Sequence, residues 1–299
     1  MAALEARLTT ATDYFSEPID FQERFSGFIP IPVRPGRPAS QIVIPGTLAY
    51  WRFDGGGADG TPVTSSQVIS DQSGQGNDLT LAPPAPGTAS DALTWSDDHD
   101  PNQPGQASLR FVGGKNPLHG AYLTTGANAP LNAQTFRGGY AFEVFLKIPL
   151  DWDSGNNGFM PALTRLGQAG DAGKSGRNTD PNEPLCGLFI SNNGREPQFN
   201  FYPQSQTFPT TNWGQGLPEE QWWHVAMVND GKRTIMYVNS SPVVDNPSTF
   251  SAGITTLDLP WLLGAGFYAG NLDSVFHGWI GDVRIVNRPL PLGQFMTAK

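Results

Sequence analysis

The chain has one cysteine, Cys186, in 299 residues, so no disulfide can form within it. Secreted sandwiches of this length often carry a disulfide, and its lack favours a reducing compartment. Charge is sparse as well: only 15% of residues are Asp, Glu, Lys or Arg, the net charge is −9, and no run of Lys and Arg stands out. Without a basic face there is nothing to hold a phosphate backbone, which excludes nucleic acid as an expected partner. No apolar stretch approaches the ~20 residues needed to cross a bilayer. Residues 1–10 include Glu5 and Arg7 and lack the apolar core of a signal peptide. The expected location is therefore cytoplasmic, or exported without a signal peptide, and secreted if the sequence is a fragment.

What the chain has instead is punctuation, with 35 Gly and 27 Pro and no long stretch of Ala, Leu, Glu and Lys. That composition favours many short strands over helices, in one β-sandwich of large size with appendages. Residues 1–46 stand apart: a helical turn or two around Leu4 to Leu8, then Pro30, Pro32, Pro35 and Pro38 close together. Proline at this density forbids ladder pairing and gives an extended path, read here as an N-terminal arm or linker. Its Phe15, Phe21, Phe25, Phe28, Ile29 and Ile31 are too apolar for a solvated linker, so a neighbouring chain or the arm's own sheet must cover them.

From residue 47 onward strands and turns alternate. In Tyr140-Ala-Phe-Glu-Val-Phe-Leu-Lys-Ile148 the apolar residues recur with a period of two, with Glu143 and Lys147 on the other face, where Glu143 reads as a solvent-facing strand residue. Asn229-Asp-Gly-Lys232 and Asn192-Asn-Gly194 each sit between strand-like runs and read as hairpin turns. The last strand is expected over residues 279–286, stopped by Pro289. Segments 55–66, 82–106, 151–182 and 203–218 are rich in Gly, Pro, Asn and Asp and read as long rim loops.

The ordered series Leu48-Ala-Tyr-Trp-Arg-Phe-Asp54, Asp71-Gln-Ser-Gly-Gln-Gly-Asn-Asp-Leu79, Phe142-Glu-Val-Phe-Leu-Lys147, Trp222-Trp-His-Val-Ala226 and Gly278-Trp-Ile-Gly-Asp-Val-Arg-Ile-Val286 resembles laminin G-like jelly rolls of the concanavalin A-like lectin/glucanase superfamily. A narrower likeness, through Asn212-Trp-Gly214, Leu259-Pro-Trp-Leu-Leu-Gly264 and His277-Gly-Trp-Ile280, is to the lectin-like domain behind calcineurin-like metallophosphoesterases of actinobacteria. The resemblance implies an all-β, two-sheet antiparallel jelly-roll sandwich over residues 47–299, behind an extended Pro-rich arm at 1–46. The phosphoesterase half is missing, and His99, His119, His224 and His277 do not supply its dinuclear ligand set.

Candidate chemistry is thin. Glycoside hydrolysis needs two carboxyls facing across a cleft, but Glu143 stands alone on its strand and Glu219-Glu220 reads as surface charge. Cys186 and His224 read as buried structural residues, and His277 as a turn residue. Oxygen ligands outnumber nitrogen and sulfur, so a bound metal would be calcium. Related jelly rolls hold a structural calcium between first and last strands, which makes Asp54, Asp71, Asn77 and Asp282 its candidate ligands. The competing reading, slightly ahead, is that Asp71 and Asn77 make side-chain-to-backbone turns. Trp51, Trp223 and Trp279 fall within strands and read as core, while Trp152, Trp213 and Trp261 lie in or beside loops and are the candidate recognition surface.

Three functions remain open. The leading one is a non-catalytic module recognising a carbohydrate or protein through loops 151–182 and 203–218. The others are an architectural subunit anchored in an oligomer or larger particle by residues 1–46, and an accessory domain of a hydrolase.

Overall fold

The computed structural model describes residues 36–175, 180–245 and 250–297. The expectations for the arm's helical turn and apolar residues lie outside them. The compact unit begins at Gly36, so residues 36–46 belong with the sandwich.

In chain order, helix α1 (Ala39–Ile42) precedes strands β1 (Thr47–Trp51), β2 (Val68–Ile69), β3 (Leu79–Leu81), β4 (Leu93–Ser96) and β5 (Ser108–Phe111). There follow β6 (Gly114–Lys115), β7 (Leu118–His119), β8 (Leu123–Thr125), β9 (Tyr140–Lys147) and β10 (Met160–Gln168). Next come β11 (Pro184–Ile190), β12 (Pro197–Phe201), β13 (Thr210–Trp213), β14 (Trp222–Asn229) and β15 (Thr234–Val238). The last are β16 (Ser241–Asp245), β17 (Trp261–Leu263), β18 (Ala265–Tyr268), β19 (Asn271–Val275) and β20 (Gly278–Val286). One sheet runs β16-β15-β14-β9-β20-β5-β4, with β1 paired to the far half of β20; the other runs β13-β12-β11-β10-β17-β8-β3-β2. A β18–β19 hairpin stands apart from both. The result is the expected all-β sandwich.

Both expected hairpins form, and their turn glycines show why: Gly194 and Gly231 take φ of +67° and +87°, where a Cβ is strained. Three of the four expected rim loops instead carry strands, namely β4, β10 and β13. Strand β10 is central to its sheet; it hides behind Pro161 and Gly167, and Gly167 (φ +108°) sits where its register with β11 shifts.

The sheets meet through side chains that alternate inward. Tyr140, Phe142, Val144 and Leu146 of β9 pack in one cluster with Cys186, Leu188 and Ile190 of β11 and Phe199 and Phe201 of β12. Phe142 lies at its centre, with ring centroids 5.5 Å from Trp261 and 5.7 Å from Phe201. Full burial of each such side chain contributes about 1.5–3 kcal/mol.

The other side of β9 departs from expectation. Glu143 does not face solvent: it is fully buried, as are His224 and Arg284. Its Oε2 accepts from Arg284 Nε at 2.8 Å, and Oε1 accepts from the Met296 N–H at 2.7 Å and lies 3.1 Å from His224 Nε2. Arg284 also donates to the carbonyls of Ile42 (2.8 Å) and Gln294 (2.6 Å). Residues before β1 and after β20 thus close over this face, with Ile42, Tyr50, Phe145 and Met296 in one apolar cluster. Desolvation pushes the Glu143 carboxyl up, but Arg284, His224 and the Met296 N–H outweigh it and hold it below the usual range. His224 is the packed strand histidine expected.

Candidate functional site

The outer face of the second sheet is partly covered, with Phe189 and Asn200 only 9% and 8% exposed. Where Leu188, Ile190, Phe199 and Phe201 point into the core, the alternate residues Phe189, Gln198 and Asn200 point away from it. The β18–β19 hairpin rises beside them, and between the two lies a cleft of about 270 Å³. Phe189 forms its floor; a Cβ at Gly187 would run into the Phe189 ring, so the ring lies over that glycine. Phe159 and Tyr268 stand on the cleft and are 40% and 43% exposed.

Polar groups converge on the same space. Asp180 accepts from the Tyr268 O–H (2.7 Å) and the Asn182 N–H (2.9 Å), bonds that hold its carboxyl below the usual range. Glu183 Oε2 accepts from the Tyr202 O–H (2.6 Å) and the Asn200 amide (3.4 Å). Burial, and then Glu183, push the Tyr202 hydroxyl well up, so it stays a donor. Asp273 and Ser274 come from the hairpin. Gln198 Oε1 is buried without a hydrogen-bond partner among the described residues. An apolar floor ringed by a few oriented polar groups is the composition of a small-ligand site.

The sequence-predicted residues lie elsewhere. Trp261 is a correction: it is fully buried in the core, donates to Leu131 O at 3.3 Å and carries the Arg165 guanidinium 4.7 Å above its ring. Arg165 is itself buried, donating to the carbonyls of Leu131, Gln134 and Thr255, and burial pushes it down to about 10. Trp261 looked like a loop residue because β17 is short and follows Pro260. Trp152 is half-buried against the core beneath Arg195 and does not line the cleft. Trp213 pairs with Gln198 in edge strand β13, and its side chain is outside what is described. Of the expected core tryptophans, Trp51 is fully buried, whereas Trp223 and Trp279 are half-buried. Loop 151–182 contributes Phe159 and Asp180 to the cleft, and loop 203–218 lends it no lining residue among those described. A signal for Phe189 did exist: a large apolar residue out of phase between Leu188 and Ile190, two positions after a glycine.

The four calcium candidates do not converge. Asp71 Oδ1 accepts from the Tyr50 and Ser73 N–H groups, and Oδ2 from the Asn77 N–H, so both oxygens serve the backbone. Asn77 likewise bonds Leu48 O and the Leu131 N–H. Asp54 and Asp282 meet at Gly105, where a Cβ would collide with Asp282 Oδ1 and lie 3.1 Å from Asp54 Oδ1. Among the described residues no three His, Cys, Asp or Glu side chains gather as a metal ligand set. Calcium takes six to eight oxygens, so these residues do not fit such a site, and the turn-forming role describes Asp71 and Asn77. Asp282 accepts instead from the Tyr50 O–H (2.7 Å) and the Gly105 N–H (2.9 Å), while burial pushes its carboxyl up to about 7. Cys186 is buried and its thiol is pushed up to about 12 by burial, which makes it inert. His277 ties to Asp151 at 3.0 Å.

Two antiparallel sheets packed face to face, with an aromatic-floored cleft on one outer face, define a lectin-like jelly roll. Residues 120–294, more than half of the chain, match the laminin G-type family described as the concanavalin A-like lectin/glucanases superfamily, and the chain belongs to it. Among solved structures, domain 4 of AbnA, an extracellular GH43 arabinanase from Geobacillus stearothermophilus in complex with arabinotriose, is similar at 16% identity. The match covers 84% of this chain and 96% of that one, with a TM-score of 0.50. The binding domain of botulinum neurotoxin serotype G is similar at 11% identity and a TM-score of 0.50, over 83% of this chain and 49% of that one. At these identities the likeness concerns the fold. No curated protein matches the chain in sequence. No helix among the described residues is long and apolar enough to cross a membrane.

Proposed function

We propose that the chain is a non-catalytic carbohydrate-recognition module that holds a saccharide in the cleft above Phe189. The observation that carries this reading is the cleft itself, with the Phe159 and Tyr268 rings exposed on it, the Phe189 ring against Gly187 at its floor, and carboxylates and amides around them. A flat ring packs on the apolar face of a pyranose, and oriented acceptors then take its hydroxyls. The neighbour crystallised with arabinotriose supports this ligand class, and the resemblance to phosphoesterase-associated domains fits an accessory role beside a separate catalytic unit.

A glycan array followed by titration calorimetry tests the reading. Phe189→Ala is expected to weaken the best neutral hit at least about tenfold, and Gly187→Ala to do the same by displacing the ring while leaving the ring's chemistry intact. Binding unchanged in both variants, with both folded by circular dichroism, would remove the cleft from the function.

A further inference from the structure

The cleft is rich in acceptors and poor in positive charge. Asp180, Glu183 and Asp273 bring three carboxylates to one cavity, and no described Lys, Arg or His lines it. Lys115 comes only as far as the rim, its Nζ 5.7 Å from the Phe159 ring centroid. Two of these groups have capacity to spare. Asp273 bonds to no described residue, and both described bonds to the Glu183 side chain fall on Oε2, leaving Oε1 open. The buried Gln198 Oε1 adds a third acceptor without a donor. Among the described residues no donor answers these oxygens, so a ligand that donates would find them available.

Resting on the carbohydrate reading, we propose that the cleft selects a saccharide bearing a free amine, of the glucosamine type, and rejects sugars bearing a carboxylate. An ammonium is a compact donor of three hydrogen bonds. Here it would find carboxylates beside aromatic faces, and both attract cations. A uronic or sialic acid would set its own carboxylate against three others, an arrangement that like-charge repulsion opposes. N-acetylation removes the charge and adds bulk, so an acetylated sugar should bind as a neutral one does. The preference expected for the amine over the matched hydroxyl is roughly tenfold, the margin of one charge-assisted hydrogen bond over a neutral one.

Calorimetric titration of the whole chain with four matched trisaccharides tests this: glucosamine, N-acetylglucosamine and glucose trimers, and one containing glucuronic acid. The glucosamine trimer is expected to bind about tenfold more tightly than the glucose trimer, with the glucuronic one weakest and the margin shrinking in high salt. Asp273→Asn should cut the margin between the amine and the glucose trimer to about twofold or less, whatever it does to the glucose trimer's own affinity. Equal affinity for the amine and neutral trimers, or a margin that survives Asp273→Asn, overturns the selectivity. A margin that persists in Phe189→Ala also overturns it, because it would then reflect attraction to the net charge of −9 rather than the cleft. If neutral trimers bind and lose affinity in Phe189→Ala without any amine preference, the carbohydrate reading stands and this inference alone falls. If no trimer binds at any salt, both fall.

Discussion

Replacing Glu143 by Gln should be one of the most damaging conservative changes in the molecule. Glu143, Arg284 and His224 are all buried, and the carboxylate answers Arg284, His224 and the Met296 N–H at once. Glutamine keeps the shape but leaves the Arg284 guanidinium charged and without a counter-charge. Breaking a buried pair from one side costs about 3–5 kcal/mol. In a domain of this size each kcal/mol lowers Tm by about 2–4 °C, so the loss should be on the order of 10 °C by differential scanning calorimetry. The pair itself need not be stabilising: the double variant Glu143→Leu with Arg284→Met removes both charges and should recover most of the lost Tm. Acid offers a second reading of the same network. A carboxyl held below its ordinary value stabilises the fold above that value and loses the contribution as pH falls through the folded-state pKa, here below pH 4.5. Wild type should therefore lose Tm steeply in that window, and Glu143→Gln should lose less. A shift under about 2 °C for Glu143→Gln, or a double variant no better than the single one, would refute the account.

Asp282 should act in the opposite direction. With its carboxyl raised from 3.8 to about 7, its contribution is fully present below pH 3.8 and is lost as pH rises from there to about 7. Its share of the Tm should accordingly decline between those values and level off above, and Asp282→Asn should flatten that decline; parallel profiles for the two proteins would count against it. Calcium at millimolar concentration is expected to leave the melting curve where chelator leaves it, because Asp71 is occupied by N–H groups and only Asp54 and Asp282 remain together. A rise of several degrees in calcium would place a cation between those two carboxylates.

The architecture was legible wherever local chemistry and the global fold agree. Glycine at a positive-φ turn and the two-residue period of β9 both follow from backbone sterics, and the hairpins and inner face emerged from them. What could not be read is what distant segments do to one another. Glu143 sits at a polar position of an alternating strand, and nothing in that strand says that residues 36–46 and 287–297 will cover it. The cleft escaped for the same reason: its walls come from Phe159, residues 180–189, residues 198–200 and the β18–β19 hairpin, which the sheet brings together. Trp261 was misplaced because position beside a loop is a poor guide to depth when the strand is three residues long. Strand β10 was missed because Pro161 and Gly167 are breakers in most contexts and register shifts in this one.

The pairing of β1 with β20 also fixes how the sandwich would respond to being pulled. Thr47 is opposite Val286 and Trp51 is opposite Val283, so a tension drawn between residues 36 and 297 reaches this ladder from a single end. Antiparallel partners loaded that way separate in succession, like a zipper, rather than sharing the load as they would in shear. Before the first of them can open, the bonds from Arg37 to Met296 O and from Arg284 to Ile42 O and Gln294 O must give way. Yielding would thus begin at the sealed face, while the cleft on the opposite sheet keeps its shape until the peeling strand has gone.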